Sequence, residues 1–268
     1  MLKQRIITGV ILVVLALSAL FILPPVGFLV LMSAIALAAS WEWTNLMGLK
    51  TLAPRMLYLI IMSAALFNST YLTIPFVLGL GCAWWVVALI LVLLFKGQSN
   101  FLTRSVFMRG VMGVLTIVPC WLAILYLRWA FKDGVYVLMF LFAIIWGSDI
   151  AAYFVGKRFG KTKLVPLVSP GKSVQGAIAA ITYSAILALV VLLLSNVPDG
   201  QWIYCFILSI VTAIFSIVGD LSESLFKRLV GIKDSGKLLP GHGGLLDRID
   251  SLTAAAPVFA LGALILSV

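Results

Sequence analysis

Acidic residues are scarce in this chain: nine Asp and Glu stand against nineteen Lys and Arg and a single histidine in 268 residues. Charged residues make up only 10% of the sequence, while 63% is hydrophobic. So little charge cannot cover so much apolar surface in water, which excludes an ordinary soluble domain and makes lipid the solvent for most of the chain. Cysteine is equally thin. Cys82, Cys120 and Cys205 sit inside apolar runs and form no CxxC, so they read as small core residues rather than as disulfide or metal partners. Low-complexity linkers and internal repeats are also missing. The first apolar run leads straight into others without a small-residue cleavage site, so no cleavable signal peptide is expected. A net charge of +10 does not point to nucleic acid, because the basic residues are shared out among the loops between apolar runs.

What is abundant is apolar sequence in long blocks. At roughly twenty residues per crossing the blocks make nine candidate spans, at 6–23, 26–48, 57–79, 81–95, 111–131, 134–155, 174–195, 201–219 and 251–268. The expected fold is an all-α polytopic membrane protein of about nine transmembrane helices. A glycine-rich hinge at Gly79–Gly81 is expected to separate the third and fourth. Loops rich in Lys and Arg alternate with nearly uncharged ones, which places the N-terminus in the cytoplasm and the C-terminus outside. The two longest charged loops, 156–173 and 220–250, then share the cytoplasmic side. Trp84, Trp85, Trp121, Trp129 and Trp202 are expected as interfacial belt residues. Arg104–Arg109 marks a seam between an N-terminal bundle (1–109) and a C-terminal catalytic domain (110–268).

The few charges are concentrated. Between Gly219 and Asp250 lie five of the nine carboxylates, five basic residues and the only histidine, His242. Asp220 and Glu223 are spaced i, i+3, so on a helix they share a face, and Glu223 to Lys227 is a favourable i, i+4 pair. Asp247 and Asp250 repeat the i, i+3 spacing. Between these acid pairs, Gly236, Gly241, Gly243 and Gly244 make a backbone that can approach a ligand closely. Two acid pairs around such a loop suit Mg²⁺, a hard cation held by few carboxylates plus substrate phosphates. Upstream, Asp149 lies within an apolar span and should face protein or a polar cavity. Glu42 raises the same question but has no charged neighbour in sequence, and reads as structural. Ser169-Pro-Gly-Lys-Ser173 resembles part of a Walker A loop, yet Pro166 stands where its first glycine should be and no strand context is expected. What remains is an anion-binding helix start with Lys172 beside it.

At these residues a family becomes recognisable. Ser224-Leu-Phe-Lys-Arg, Lys233-Asp-Ser-Gly and Pro240-Gly-His-Gly-Gly-Leu-Leu-Asp-Arg-Ile-Asp250 together resemble the signature of the phosphatidate cytidylyltransferases, or CDP-diacylglycerol synthases. Trp146-Gly-Ser-Asp149 and Ser169–Ser173 resemble further family elements. The motif-bearing resemblance covers roughly 146–257; the first hundred residues fit by hydropathy alone. It implies transfer of CMP from CTP to phosphatidate with release of pyrophosphate, dependent on Mg²⁺, at a bacterial cytoplasmic (inner) membrane. It also implies Asp220 and Asp247 as metal ligands, with Asp149, Glu223 and Asp250 as supporters and a second cation left open. With that chemistry, Lys172, Lys227, Arg228, Lys233 and Arg248 are expected to contact phosphates, and Asp220, Asp247, Lys172, Lys233 and Asp234 to form the catalytic set. Ser169, Ser173, His242, Gly243 and Gly244 would supply hydrogen bonds to substrate. A homodimer through the N-terminal spans is the oligomeric expectation. Rival readings fit less well. A lipid or ion carrier should spread polar residues through several spans, a CDP-alcohol phosphotransferase should carry a DGxxAR-type motif, and the long signature disfavours a polyprenol or dolichol kinase.

Overall fold

The computed structural model describes residues 2–98, 101–195, 198–239, 241 and 243–267. Nine long helices and one short one carry almost all of the described chain: α1 (Leu2–Ile22), α2 (Pro25–Met47), α3 (Leu52–Ser69), α4 (Ile74–Leu93), the short α5 (Phe101–Arg104), α6 (Val106–Trp129), α7 (Gly134–Phe159), α8 (Val174–Leu194), α9 (Trp202–Leu229) and α10 (Leu246–Ser267). The sheet content is one antiparallel hairpin, β1 (Lys163–Val165) with β2 (Ser169–Ser173). Eight helices are long and apolar enough to cross a membrane; the counted apolar part of α1, Gly9–Ile22, is shorter. Hydropathy thus finds the helices, and local chemistry ends them. Pro25 opens α2 without forfeiting a helix bond. Gly48 closes it in the left-handed region at φ 81°, its N–H and that of Leu49 bonding back to Asn45 and Thr44. Ser173 caps α8 by accepting the Gly176 N–H at 3.2 Å.

Four expectations need correction. The third and fourth spans do not meet at Gly79–Gly81: α3 ends at Ser69, and α4 starts at Ile74, behind the extended Thr73 and with Pro75 in its first turn. Gly81 lies inside α4 because α6 crosses there; a Cβ on it would sit 2.5 Å from Pro119 Cβ. The shift moves the tryptophans as well. Trp84 and Trp85 fall in mid-helix and are buried, as is Trp121, with Trp84 Nε1 donating to Thr116 Oγ1 (2.9 Å) and Trp121 Nε1 to Ser33 Oγ (3.2 Å). A buried indole N–H usually finds such a partner; Trp84 and Trp121 have one, whereas Trp85 Nε1 is buried without one, and all three are core residues where belt residues were expected. Next, α9 runs on to Leu229 and α10 begins at Leu246, so both acid pairs ride on helices and the charged loop is only 230–245. At 28 residues, α9 is about 42 Å long, more than the hydrocarbon needs. Lastly, Ser169–Ser173 is a strand that leads into a helix, not a bare helix start.

One continuous core joins the two parts of the chain, with Trp43, Trp85, Leu127, Leu141, Phe226 and Ala255 among its members. The cytoplasm-directed ends expected from the basic loops meet on one face. Trp43 Nε1 donates to Arg109 O (2.8 Å), Arg109 Nη1 to Leu46 O (3.0 Å), and the Trp43 ring lies 5.3 Å from that of Phe226. The α2 end is thereby fastened beside the α9 end. Because α4 and α6 touch at Gly81, Gly81→Ala should cost about 1–3 kcal/mol through overpacking. Gly79→Ala, which meets nothing within 4 Å, should leave stability unchanged or raise it. Thermal unfolding of the two purified variants in one detergent compares them directly.

Candidate active site

The fold leaves a cavity of about 1190 Å³ with two unlike ends. Its apolar end is walled by α1, α2, α6 and α7 through side chains such as Leu15, Phe28, Ile124 and Phe142. Its polar end collects residues from four separate segments. Asp149 comes from α7, and Ser169, Lys172 and Ser173 come from β2. Asp220 and Lys227 come from α9; Asp234, Asp247, Arg248 and Asp250 come from the 230–245 loop and the first turn of α10. Ten of the expected site residues therefore share one space.

The charges there form two groups. In the first, Lys172 Nζ lies 2.6 Å from Asp220 Oδ2, and Asp149 and Asp250 are near enough to act electrostatically on that pair. Lys172 serves three carboxylates here, and Asp250 is also within electrostatic reach of Lys227. The second group is more enclosed. Lys227 Nζ bridges Asp247 Oδ1 at 2.7 Å and Glu223 Oε1 at 3.4 Å, with all three side chains buried. The α-helical repeat explains the stripe, since Asp220, Glu223 and Lys227 are spaced three and four apart along α9. Asp247 does more than face Lys227. It accepts the Ser235 N–H at 3.0 Å and the Gly244 N–H at 2.8 Å, so one carboxylate ties both ends of the glycine loop to the start of α10.

Other expected residues lie elsewhere. Arg228 points to the hairpin, where Nε donates to Val168 O at 3.2 Å and fastens the β1–β2 turn to α9. Lys233 is solvent-exposed. Gly244 is buried, and its N–H is committed to Asp247. Gly243 takes φ +83°, with Asp247 Oδ2 2.9 Å from where a Cβ would stand. These four and Glu223 are not among the cavity-lining residues. His242 falls outside the described residues.

Glu42 was the residue whose role spacing could not reveal. It is buried at 1% exposure on α2, and its Oε2 accepts the Leu246 N–H at 2.7 Å and the Ser235 hydroxyl at 3.2 Å. Asn45, one turn on, donates from Nδ2 to Ser235 O at 2.7 Å. A buried acid in an apolar span was the only available signal, because its partners lie about two hundred residues away.

Among the described residues, no three of His, Cys, Asp and Glu already converge as metal ligands. The donor chemistry nevertheless fits a hard cation that takes most of its shell from substrate oxygens and water. The cavity wall carries five carboxylates against four cationic side chains, Lys157, Lys172, Lys227 and Arg248. A site so balanced has no surplus positive charge for a polyphosphate.

Comparison with known proteins agrees with this geometry. A cytidylyltransferase family model matches residues 3–266. A Haemophilus influenzae protein named phosphatidate cytidylyltransferase is 36% identical over 97% of this chain and 98% of its own length. Proteins of the same name from Pseudomonas aeruginosa and Bacillus subtilis are 40% and 33% identical, covering 97% and 95% of this chain and 96% and 95% of their own lengths. With a match that runs nearly end to end and takes in every segment of the cavity, the chain belongs to the cytidylyltransferase family.

Proposed function

We propose that this chain is a membrane-embedded phosphatidate cytidylyltransferase, converting CTP and phosphatidate to CDP-diacylglycerol and pyrophosphate. The observation that carries this reading is the two-ended cavity: an apolar chamber opens onto a cluster of lysine, arginine, serine and aspartate. Phosphatidate has the matching shape, with acyl chains for the chamber and a phosphate for the polar end. The family membership and the names of the relatives support the same substrates. The basic helix ends and the hairpin support a polar end at the cytoplasmic face of a bacterial inner membrane, on the side where CTP is found.

An oxygen of the lipid phosphate attacks the α-phosphorus of CTP, the bond from that phosphorus to the bridging oxygen breaks, and pyrophosphate leaves with the bonding pair. The lipid phosphate is already anionic, so no protein nucleophile is needed. The difficulty is to bring two anions together, and the residues answer it by position and charge. Lys172 exchanges Asp220 for a phosphate oxygen, while Arg248 and the Ser169 and Ser173 hydroxyls orient the nucleotide tail. Lys227 stays with Glu223 and Asp247 and presents their net charge to the cavity. Asp220 and Asp247 would hold Mg²⁺, with Asp149 and Asp250 in support. When bound, it would neutralise charge on the nucleotide and on the departing pyrophosphate.

Incubating purified protein with α-labelled CTP and phosphatidate tests the reaction: a labelled lipid is expected, and label confined to water-soluble products would overturn it. EDTA should abolish turnover and Mg²⁺ should restore it. Asp220→Ala and Asp247→Ala should insert normally yet fall at least about 100-fold in kcat, the size of effect seen when one preorganised electrostatic group is lost. Retained Mg²⁺-dependent turnover in Asp247→Ala would refute its place at the metal.

The two lysines should separate in a different way. Lys227→Met strands two buried carboxylates and should cost about 3–5 kcal/mol of stability. Lys172→Met, at a pair that is a quarter to a third exposed, should cost under about 1 kcal/mol while raising the KM for CTP. Thermal unfolding and steady-state kinetics on the same preparations decide it; equal melting temperatures would remove the distinction.

A further inference from the structure

Glu42 touches none of the cavity space, yet its contacts lead directly to it. Its Oε2 receives two hydrogen bonds, one from the backbone that starts α10 (Leu246 N–H, 2.7 Å) and one from the loop (Ser235 hydroxyl, 3.2 Å). Ser235 is in turn gripped from the opposite side, its N–H reaching Asp247 Oδ2 at 3.0 Å. Asp247 then holds Lys227 at 2.7 Å. Two glycine peptides close around the Glu42 carboxyl group. A Cβ on Gly236 would lie 2.6 Å from Glu42 Cδ, and one on Gly244 would lie 2.5 Å from Glu42 Oε2. Two of the loop's glycines, Gly236 and Gly244, are thus explained by a side chain from the other end of the sequence: a larger residue at either would push the loop off the acid that fastens it.

We propose that Glu42 is a positioning residue for cytidylyl transfer. Carried by α2, it is the fixed point against which the 235–246 loop is set, and so determines where Asp247 and Lys227 stand in the cavity wall. This rests on the proposed reaction. Burying a carboxylate among apolar helices is costly unless hydrogen bonds compensate it. Here Oε1 is buried without a hydrogen-bond partner and all the compensation falls on Oε2, from the loop and the α10 start, so the loop and α2 cannot separate without leaving the whole carboxyl group unpaired. A mere helix cap for α10 would make a narrower demand. It would need the Leu246 contact alone, and neither the Ser235 hydroxyl nor two glycines packed against the carboxyl group.

The test uses full-length protein in detergent, with kcat, both KM values and the melting temperature measured for each variant. Glu42→Ala should lower kcat about 100-fold, as small misplacements of reacting groups do. The KM for phosphatidate should move less than about threefold, since the interaction lost acts in the transition state rather than in lipid binding. Glu42→Gln keeps an acceptor oxygen and should recover most of that loss. Gly236→Ala should reproduce the kcat defect, and shortening the acid in Gly236→Ala/Glu42→Asp should relieve part of it, a coupling that independent sites do not show. A Glu42→Ala enzyme with a lowered melting temperature but undiminished kcat overturns the inference and leaves a purely structural role. If Glu42→Ala does not accumulate, Ser235→Ala decides. Loss of that one hydrogen bond should cost about tenfold in kcat, and wild-type kcat would overturn the proposal. A wild-type protein that labels no lipid refutes both this inference and the reaction it rests on, whereas an active wild type with an active Glu42→Ala refutes this inference alone.

Discussion

A charge held among apolar helices must have a counter-charge or a full set of hydrogen bonds, and the polar end of this protein's cavity is arranged around that requirement. Lys227 satisfies Glu223 and Asp247 together, from one ammonium group at 3.4 and 2.7 Å. Asp247 in turn satisfies two loop amides, and Glu42 satisfies a third amide and a hydroxyl. None of these groups can be removed without leaving another unpaired. Three elements far apart in sequence, α2, α9 and the start of α10, are locked into one corner by that mutual need rather than by apolar packing alone.

The neighbouring charge group is built to a different rule. Lys172 and Asp220 are paired at 2.6 Å, but each remains a quarter to a third exposed, and both line the cavity. Asp149 and Asp250 crowd the same place, and Asp250 also lies within electrostatic reach of Lys227. A partly solvated pair can exchange partners at small cost, whereas the buried trio cannot. On the proposed reaction this divides the work: Lys227 and Glu223 keep the geometry and hold Asp247 where it would meet the cation, and the exposed group trades its internal contacts for phosphate and cation.

Much of this was legible from residues alone, and the failures have physical causes. Hydropathy located the helices because backbone groups in lipid must be satisfied within the segment, which leaves few options but a helix. It placed their ends poorly, since a helix does not stop where apolar sequence does. In α9 the last ten residues are rich in charge and still helical, and they carry Asp220, Glu223 and Lys227. Trp84 and Trp85 were misassigned for the related reason that moving the α3–α4 turn from 79–81 to 70–73 puts them in mid-helix. The Asp247–Asp250 spacing gave away a shared helix face, because i, i+3 contacts are local. Glu42 gave away nothing beyond its cost. Its partners, Ser235 and Leu246, are set by the packing of α2 against α9 and α10, which no local pattern encodes.

The cavity's charge balance bears on why the two substrates meet where they do. With five carboxylates and four cationic side chains along its wall, the polar end is close to neutral. Such an end does not by itself attract a nucleoside triphosphate. It becomes attractive only as acids are neutralised by an added cation, or as Lys172 is released from Asp220. The apolar end has no such requirement and accepts a lipid on hydrophobic grounds alone. On the proposed reaction, a lipid phosphate that slides in from the bilayer would meet the same near-neutral wall and gain little until the nucleotide arrived with a cation. Reaction is then confined to the junction of the two environments and to the moment when both anions and the cation are present. The same balance favours departure. On the proposed reaction pyrophosphate leaves with the bonding pair and hence more negative charge than it bore within CTP, the near-neutral wall does not retain it, the lysine returns to its aspartate, and the lipid product remains anchored by its chains in the apolar chamber.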